Sequence, residues 1–295
     1  MTIPSAHLLI QTVILGLLVG GVYALMASGL TLIFGVMRVI NVAHGAFLIA
    51  GAYGTYWLFQ LAGIDPILSI VFTAPILFGL GWGVQRYLLS RIENPEHSSV
   101  LVTFALAITL EGLMGTLWKT TLRTVKPDYA GEVIKFATYR FPVTRLTAFG
   151  AAVLILVLLY VILQHTNLGR AIRATIQNRN AAQLVGVSVS RVSALTFGIG
   201  IATAAAGGSL LSMIYSFNAS SQTDWITRLL SVIVLGGMGS LPGALVAALI
   251  LGVMEQVTAV VITLYWSPIV FYLFLFLTLI VRPQGLMGET TREKA

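Results

Sequence analysis

Few side chains in this 295-residue chain could do chemistry in an apolar setting. Asn41 and His44 flank the short break Asn41-Val42-Ala43-His44-Gly45, and Glu111 and Glu255 each stand within a long apolar stretch. An amide both donates and accepts, an imidazole does either through its ring nitrogens, and a carboxylate accepts. The stretch Gly236-Gly237-Met238-Gly239-Ser240-Leu241-Pro242-Gly243 adds backbone N–H and C=O groups that no continuous helix would bind. These types suit the holding of a small polar solute rather than bond making. No H-E-x-x-H and no G-x-S-x-G occurs. His7, His97 and His165 lie near the ends of apolar runs, and cysteine is absent. No catalytic residue, metal centre or disulfide is therefore expected. A phosphate-cradling G-x-x-x-x-G-K-[ST] loop is missing too, because none of Lys119, Lys126, Lys135 and Lys294 follows a glycine. No cofactor is expected on this chain, and any ATP must be bound by another one.

The elements that position these groups must lie in lipid. The chain is 57% hydrophobic with only 9% charged residues and a mean hydropathy of +0.93, against about 25% charged for a soluble domain. Uncharged runs extend over 1–37, 39–64, 66–85, 192–223, 229–254 and 256–281, and about 20 apolar residues suffice to span a bilayer. The runs do not alternate as barrel strands would. The expected fold is all-α, one polytopic bundle over 1–295 with about eight or nine spans, some of them broken or re-entrant. Spans are predicted at Leu8–Gly35, Val42–Leu61, Pro66–Leu88, Ser99–Leu117, Leu146–Leu163, Val192–Phe217, Leu229–Gly239, Gly243–Thr263 and Ser267–Val281. Leu229–Thr263 as one helix would run about 50 Å, too long for a hydrocarbon core of about 30 Å, so it splits at its glycines. Gly16 with Gly20, and Gly79 with Gly83, form small-x-x-x-small pairs that let helices approach.

The net charge of +7 reads as membrane orientation and lipid contact, not nucleic acid, because the basic residues gather in loops. Residues 165–191 carry Arg170, Arg173, Arg179 and Arg191 without an acid, and are expected in the cytoplasm. Parity then puts the amino terminus and the loop 118–145 on the periplasmic side, and the carboxyl tail inside if the 229–263 run crosses twice. The 118–145 loop runs against the rule, with Lys119, Arg123, Lys126, Lys135, Arg140 and Arg145 against Asp128 and Glu132.

Within the cytoplasmic loop, Leu168, Ile172 and Ile176 make one apolar stripe, with Arg170, Arg173 and Gln177 opposite. A short helix is predicted next. Asn180 serves as its N-cap, Gln183 as the capping-box partner and Gly186 as its stop. It reads either as an interfacial hairpin on lipid or as a docking knob for a soluble motor.

The knob Ala181-Ala182-x-x-x-Gly186 resembles the EAA loop of ABC-importer permeases, with Asn180 where that motif commonly has an acid. The wider block from Gly169-Arg170-Ala171-Ile172-Arg173-Ala174 to Arg191-Val192-Ser193-Ala194-Leu195-Thr196-Phe197 is similar to LivH-type permeases of branched-chain amino acid importers. Nearly the whole chain shares the likeness. It includes Gly20-Gly21-Val22-Tyr23-Ala24-Leu25, the run Gly35–Gly45, the run Val234–Ala244, Leu251-Gly252-Val253-Met254-Glu255 and Arg282-Pro283-Gln284-Gly285-Leu286.

The resemblance implies a multi-pass subunit of a bacterial inner membrane. Its partners would be a second homologous permease, two ABC ATPase subunits and a periplasmic binding protein. It implies coupling to the ATPase through Asn180, Ala181, Ala182, Gln183 and Gly186. A zwitterion needs a polar path through hydrocarbon, and broken-helix ends can line one. Asn41, His44, Gly236, Gly237, Gly239 and Glu255 are the expected path residues. The other reading gives Asn41 and His44 a kink to hold, the glycines close packing, and Glu111 and Glu255 interhelical hydrogen bonds. The default solutes are branched-chain amino acids, with urea, amides and small aromatic acids as alternatives. A proton-coupled transporter using Glu111, Glu255 and His44 is the rival mechanism, and it leaves the capped knob unexplained. An accessory subunit that is no part of the path is the third reading.

Overall fold

The computed structural model describes residues 5–92, 95–136 and 138–288, with 95–97 as backbone. Helices α1 (Ala6–Met37), α2 (His44–Ala62), α3 (Pro66–Gly83), α4 (Pro95–Trp118) and α5 (Val143–His165) come first, then the short α6 (Asn167–Gln177) and α7 (Arg179–Leu184). The bundle is completed by α8 (Val189–Ile214), α9 (Ser221–Gly236), α10 (Leu241–Val261) and α11 (Ile269–Val281). Seven helical stretches are long and apolar enough to cross a membrane among the described residues. Every predicted span is found as a helix, and the described residues are all-α apart from one hairpin and a single bridge between Arg123 and Phe217.

That hairpin pairs β1 (Val133–Phe136) with β2 (Tyr139–Pro142), antiparallel, in the loop between α4 and α5. It rests on the start of α1, where His7 stacks on Tyr139 at 4.3 Å and Gln11 donates to the Arg140 carbonyl at 3.1 Å. The hairpin marks one end of the bundle, and α6 with α7 marks the other.

Helix α1 is apolar all round and buried from Leu18 to Ile33, the pattern of a helix enclosed by others. Glycines let its neighbours close in. Gly16 and Gly20 pack on the α10 backbone at Val253 and Leu249, and Gly29 meets Gly200 of α8. Gly79 and Gly83, by contrast, have open space around them, so this predicted pair packs no helix of its own chain.

Helices α2 and α9 are not among those seven. A hydrogen bond of 3.0 Å joins His44 Nε2 to the Met26 carbonyl, and Met26 sits about three turns before the end of α1. The chain turns back after Met37 and starts α2 inside the bundle. Helix α9 has 16 residues, about 24 Å at 1.5 Å per residue. The proximity of Gly236 to Gly243 and the pairing of Arg228 with Glu255 make α9 and α10 an antiparallel hairpin, so the 229–263 run is two helices and not one. One expectation is corrected here. Residues 221–228, which fall between the predicted spans Val192–Phe217 and Leu229–Gly239, are the first turns of α9, because Gln222, Trp225 and Ile226 bury one helical face.

The amino-terminal end of α1 lies at the hairpin end, while the segment after α11 lies at the α7 end beside Gly237. Arg292 and Lys294 lie outside the described residues. The basic loop proves less free than its composition suggests. Arg123 lies 4.6 Å from the centre of the Tyr56 ring and 5.2 Å from that of Trp57, and Arg145 donates to Gln256 Oε1 at 3.1 Å. In the same loop, burial and then the adjoining Asp65 push the Tyr129 phenol above its ordinary range, which keeps it a neutral donor.

Candidate functional site

The α7 knob is built by caps. Thr166 Oγ1 accepts from Gly169 N–H at 3.0 Å and starts α6. Leu163 is met by the Arg173 guanidinium, which fastens α6 to the end of α5. Ile172 is fully buried and Leu168 half-buried, while Ile176 is 38% exposed beside Gly35 of α1, so the predicted stripe turns inward over its first two members and reaches the surface at its third. The cap of α7 differs from expectation. Asn178, not Asn180, is extended and accepts from Ala181 N–H at 3.0 Å through Oδ1. Helical geometry already includes Asn180, whose side chain is exposed, and Gln183 closes no capping box. The stop is as expected. Gly186 has φ +86°, and Val187 N–H reaches the Ala182 carbonyl at 3.0 Å, a left-handed turn that glycine enters without strain. Ala182 is buried, whereas Asn180, Ala181, Gln183 and Gly186 face outward. The tip presents two large apolar side chains, Leu184 at 89% and Val185 at 78% exposure.

Inside the bundle, Asn41 and His44 are wholly buried. Among the described residues, neither amide atom of Asn41 and not Nδ1 of His44 has a hydrogen-bond partner. The adjoining backbone is anchored by Thr103 of α4, whose Oγ1 accepts from Val42 N–H at 3.2 Å. Glu111 accepts from Gln222 Nε2 of α9 at 3.0 Å.

Glu255 has a partner that sequence reasoning missed. Arg228 of α9 forms an ion pair with Oε1, while Tyr23 of α1 donates to Oε2 at 2.6 Å. The Tyr23 hydroxyl is 3.0 Å from that of Tyr215, and the Arg228 guanidinium is 5.0 Å from the Trp225 ring centre and 5.1 Å from that of Phe271. One ion pair thus gathers α1, α9, α10, α11 and the end of α8. The clue was partial: a buried carboxylate needs a cation, and a hairpin folded at Gly237–Ser240 sets 228 opposite about 249–252, roughly a turn or two from Glu255 and near the reach of an arginine side chain.

The glycine break sits at the α7 end. Gly237 and Gly239 have φ of +100° and +89°. A side chain on Gly236 would strike the backbone of Gly243 and Ala244, and one on Gly237 that of Gly288. The segment after α11 covers the end of α9, with Leu286 N–H on the Leu235 carbonyl at 2.7 Å and Met287 N–H on the Gly236 carbonyl at 3.0 Å. Of the expected path residues, Glu255 therefore joins Arg228, Gly236 and Gly237 join the tail, Gly239 faces Gly35 of α1, and His44 bonds to the α1 backbone with Asn41 buried nearby.

Residues 12–281 match the family described as branched-chain amino acid transport system, permease component. The high-affinity branched-chain amino acid transport system permease protein LivH of Salmonella typhimurium is 29% identical over 97% of this chain and 97% of its own. BraD of Pseudomonas aeruginosa, which bears the same description, is 30% identical over 99% of each. A more distant relative, the ribose import permease protein RbsC of Bacillus subtilis, is 26% identical over 85% of this chain and 75% of its own. These likenesses fit a multi-pass bundle with no catalytic machinery of its own, and the chain belongs to the family of branched-chain amino acid transport system permease components.

Proposed function

We propose that this permease carries branched-chain amino acids inward as one membrane subunit of an ATP-driven importer. A soluble ATPase grips α7, and the α7 end faces the cytoplasm. The observation that carries the reading is the tip of α7. Leu184 and Val185 stand almost bare of contacts on a helix capped at both ends, and such side chains are buried where a partner covers them. The described relatives supply the solute class. The remaining partners are a second homologous permease, a second ATPase subunit and a periplasmic binding protein that docks at the hairpin end.

The solute path is proposed to use Asn41, His44, Glu255 and the broken ends at Gly236, Gly237 and Gly239. Its support is the set of orphan atoms on Asn41 and His44. Each unpaired buried polar group costs about 1–3 kcal/mol, and a conformation that offers it solute or water recovers that free energy. The test is reconstitution in proteoliposomes with the ATPases and binding protein. Labelled leucine, valine and isoleucine are compared with urea, an amide, an aromatic acid and ribose. ATP-dependent uptake of the aliphatic amino acids is the expected result. Uptake by the chain alone on a proton gradient, or preference for another solute, overturns the reading.

A further inference from the structure

At the α7 end, a cavity of about 230 Å3 opens between α7, α8 and the turns that follow α3. Its inner wall holds Gln85 and Ser193, which are 6% and 3% exposed. Neither Gln85 Oε1 nor Ser193 Oγ has a hydrogen-bond partner among the described residues. Gln85 owes its position to a π-helical turn over Val84–Leu88, a distortion frequent at functional sites. Leu89 and Val189 add apolar wall, and Arg179 with Gln183 brings α7 to the rim. The Arg179 side chain is exposed and has no acidic partner among the described residues.

We infer that this cavity binds one small aliphatic α-amino acid from the α7 side of the membrane, and that its occupancy restrains α7. The inference rests on the function proposed above. The chemistry matches group by group. Gln85 Oε1 and Ser193 Oγ, sealed just behind the wall, accept from the ammonium once their side chains turn into the cavity, Arg179 takes the carboxylate, and Leu89 with Val189 holds the aliphatic side chain. The volume equals about eight waters, the scale of one such molecule. A solute lodged there touches α7, α8 and the turns after α3 together, so the knob cannot shift against the bundle until it leaves. Delivered solute accumulating on that side would slow further delivery.

The experiment uses the complete importer in proteoliposomes with α7 facing the lumen and ATP enclosed. Initial uptake of labelled leucine is measured against rising unlabelled luminal isoleucine, each protein normalised to its own rate without luminal amino acid. The native protein slows as luminal isoleucine rises, and Gln85→Met and Ser193→Ala each raise the half-inhibiting concentration about tenfold, as expected for one lost hydrogen bond. A native rate indifferent to luminal isoleucine overturns the inference, as does equal inhibition of native protein and variants. If no leucine is taken up even with an empty lumen, it is the proposed function that fails. Equilibrium binding of labelled isoleucine to the detergent-solubilised chain then decides the cavity alone. Binding weakened by both variants supports the site, and absent or unaltered binding ends it.

Discussion

Tyr23 donates its phenolic hydrogen to Glu255 Oε2 at 2.6 Å while Arg228 holds the other oxygen of the same carboxylate. Tyr23 thereby ties the middle of α1 to a hairpin, α9–α10, that lies more than two hundred positions further along the chain. The side chains of Arg228 and Glu255 are 16% and 4% exposed, so both charges are largely out of water and each depends on the other.

Removing one partner therefore costs more than removing both. Arg228→Met and Glu255→Met should each destabilise the purified protein by about 3–5 kcal/mol, and the double variant should recover most of that loss. Thermal unfolding in detergent across the four proteins measures the coupling. Additive losses in the double variant would mean that the two charges do not interact.

The caps of α7 separate two asparagines that composition alone cannot tell apart. Asn178→Ala should cost about 0.5–2 kcal/mol of local stability and speed amide exchange in α7. Asn180→Ala should leave exchange there unchanged, because its side chain caps nothing. Hydrogen exchange read by mass spectrometry over 178–187 distinguishes them.

Leu184→Asp adds charge at a position 89% exposed, so folding should tolerate it while ATP-driven uptake falls at least about tenfold, the effect of losing an apolar anchor from an interface. Equal expression and melting temperature with native uptake would dismiss α7 as the gripping point.

Glycines at helix crossings should split into two groups. A methyl group on Gly208 would run into the Leu48 carbonyl, and one on Gly29 into Thr203 and Gly200, whereas one on Gly79 meets nothing within 4 Å. Gly208→Ala and Gly29→Ala should each lower the yield of folded protein sharply, with a cost of about 1–3 kcal/mol or more from overpacking. Gly79→Ala should be neutral in a monodisperse-yield assay.

Much of this was legible in the sequence because lipid enforces simple rules. Every span followed from apolar length, and the break at Gly237–Ser240 followed from residues that no continuous helix accepts. What was hidden required knowledge of depth. Arg228 sits where the apolar run begins, yet α9 starts seven residues earlier at Ser221 and packs it against Trp225 and Phe271. Gln85 only closes the uncharged run 66–85 in the sequence, and a π turn, which leaves no periodic signature of its own, buries it. The cap of α7 was displaced by two positions because Asn178 and Asn180 are chemically equal candidates, and only the extended backbone at Asn178 separates them.

The clasp of Leu286 and Met287 on the last carbonyls of α9 also bears on how the protein is made. Those carbonyls emerge from the ribosome two helices ahead of the amides that satisfy them. Throughout that interval the α9–α10 hairpin waits half-finished beside the translocon, with bare oxygens at its turn. Locking of this part of the bundle must wait for α10 and α11 to emerge, and the segment following α11 is the latchkey that a nascent chain receives only after both.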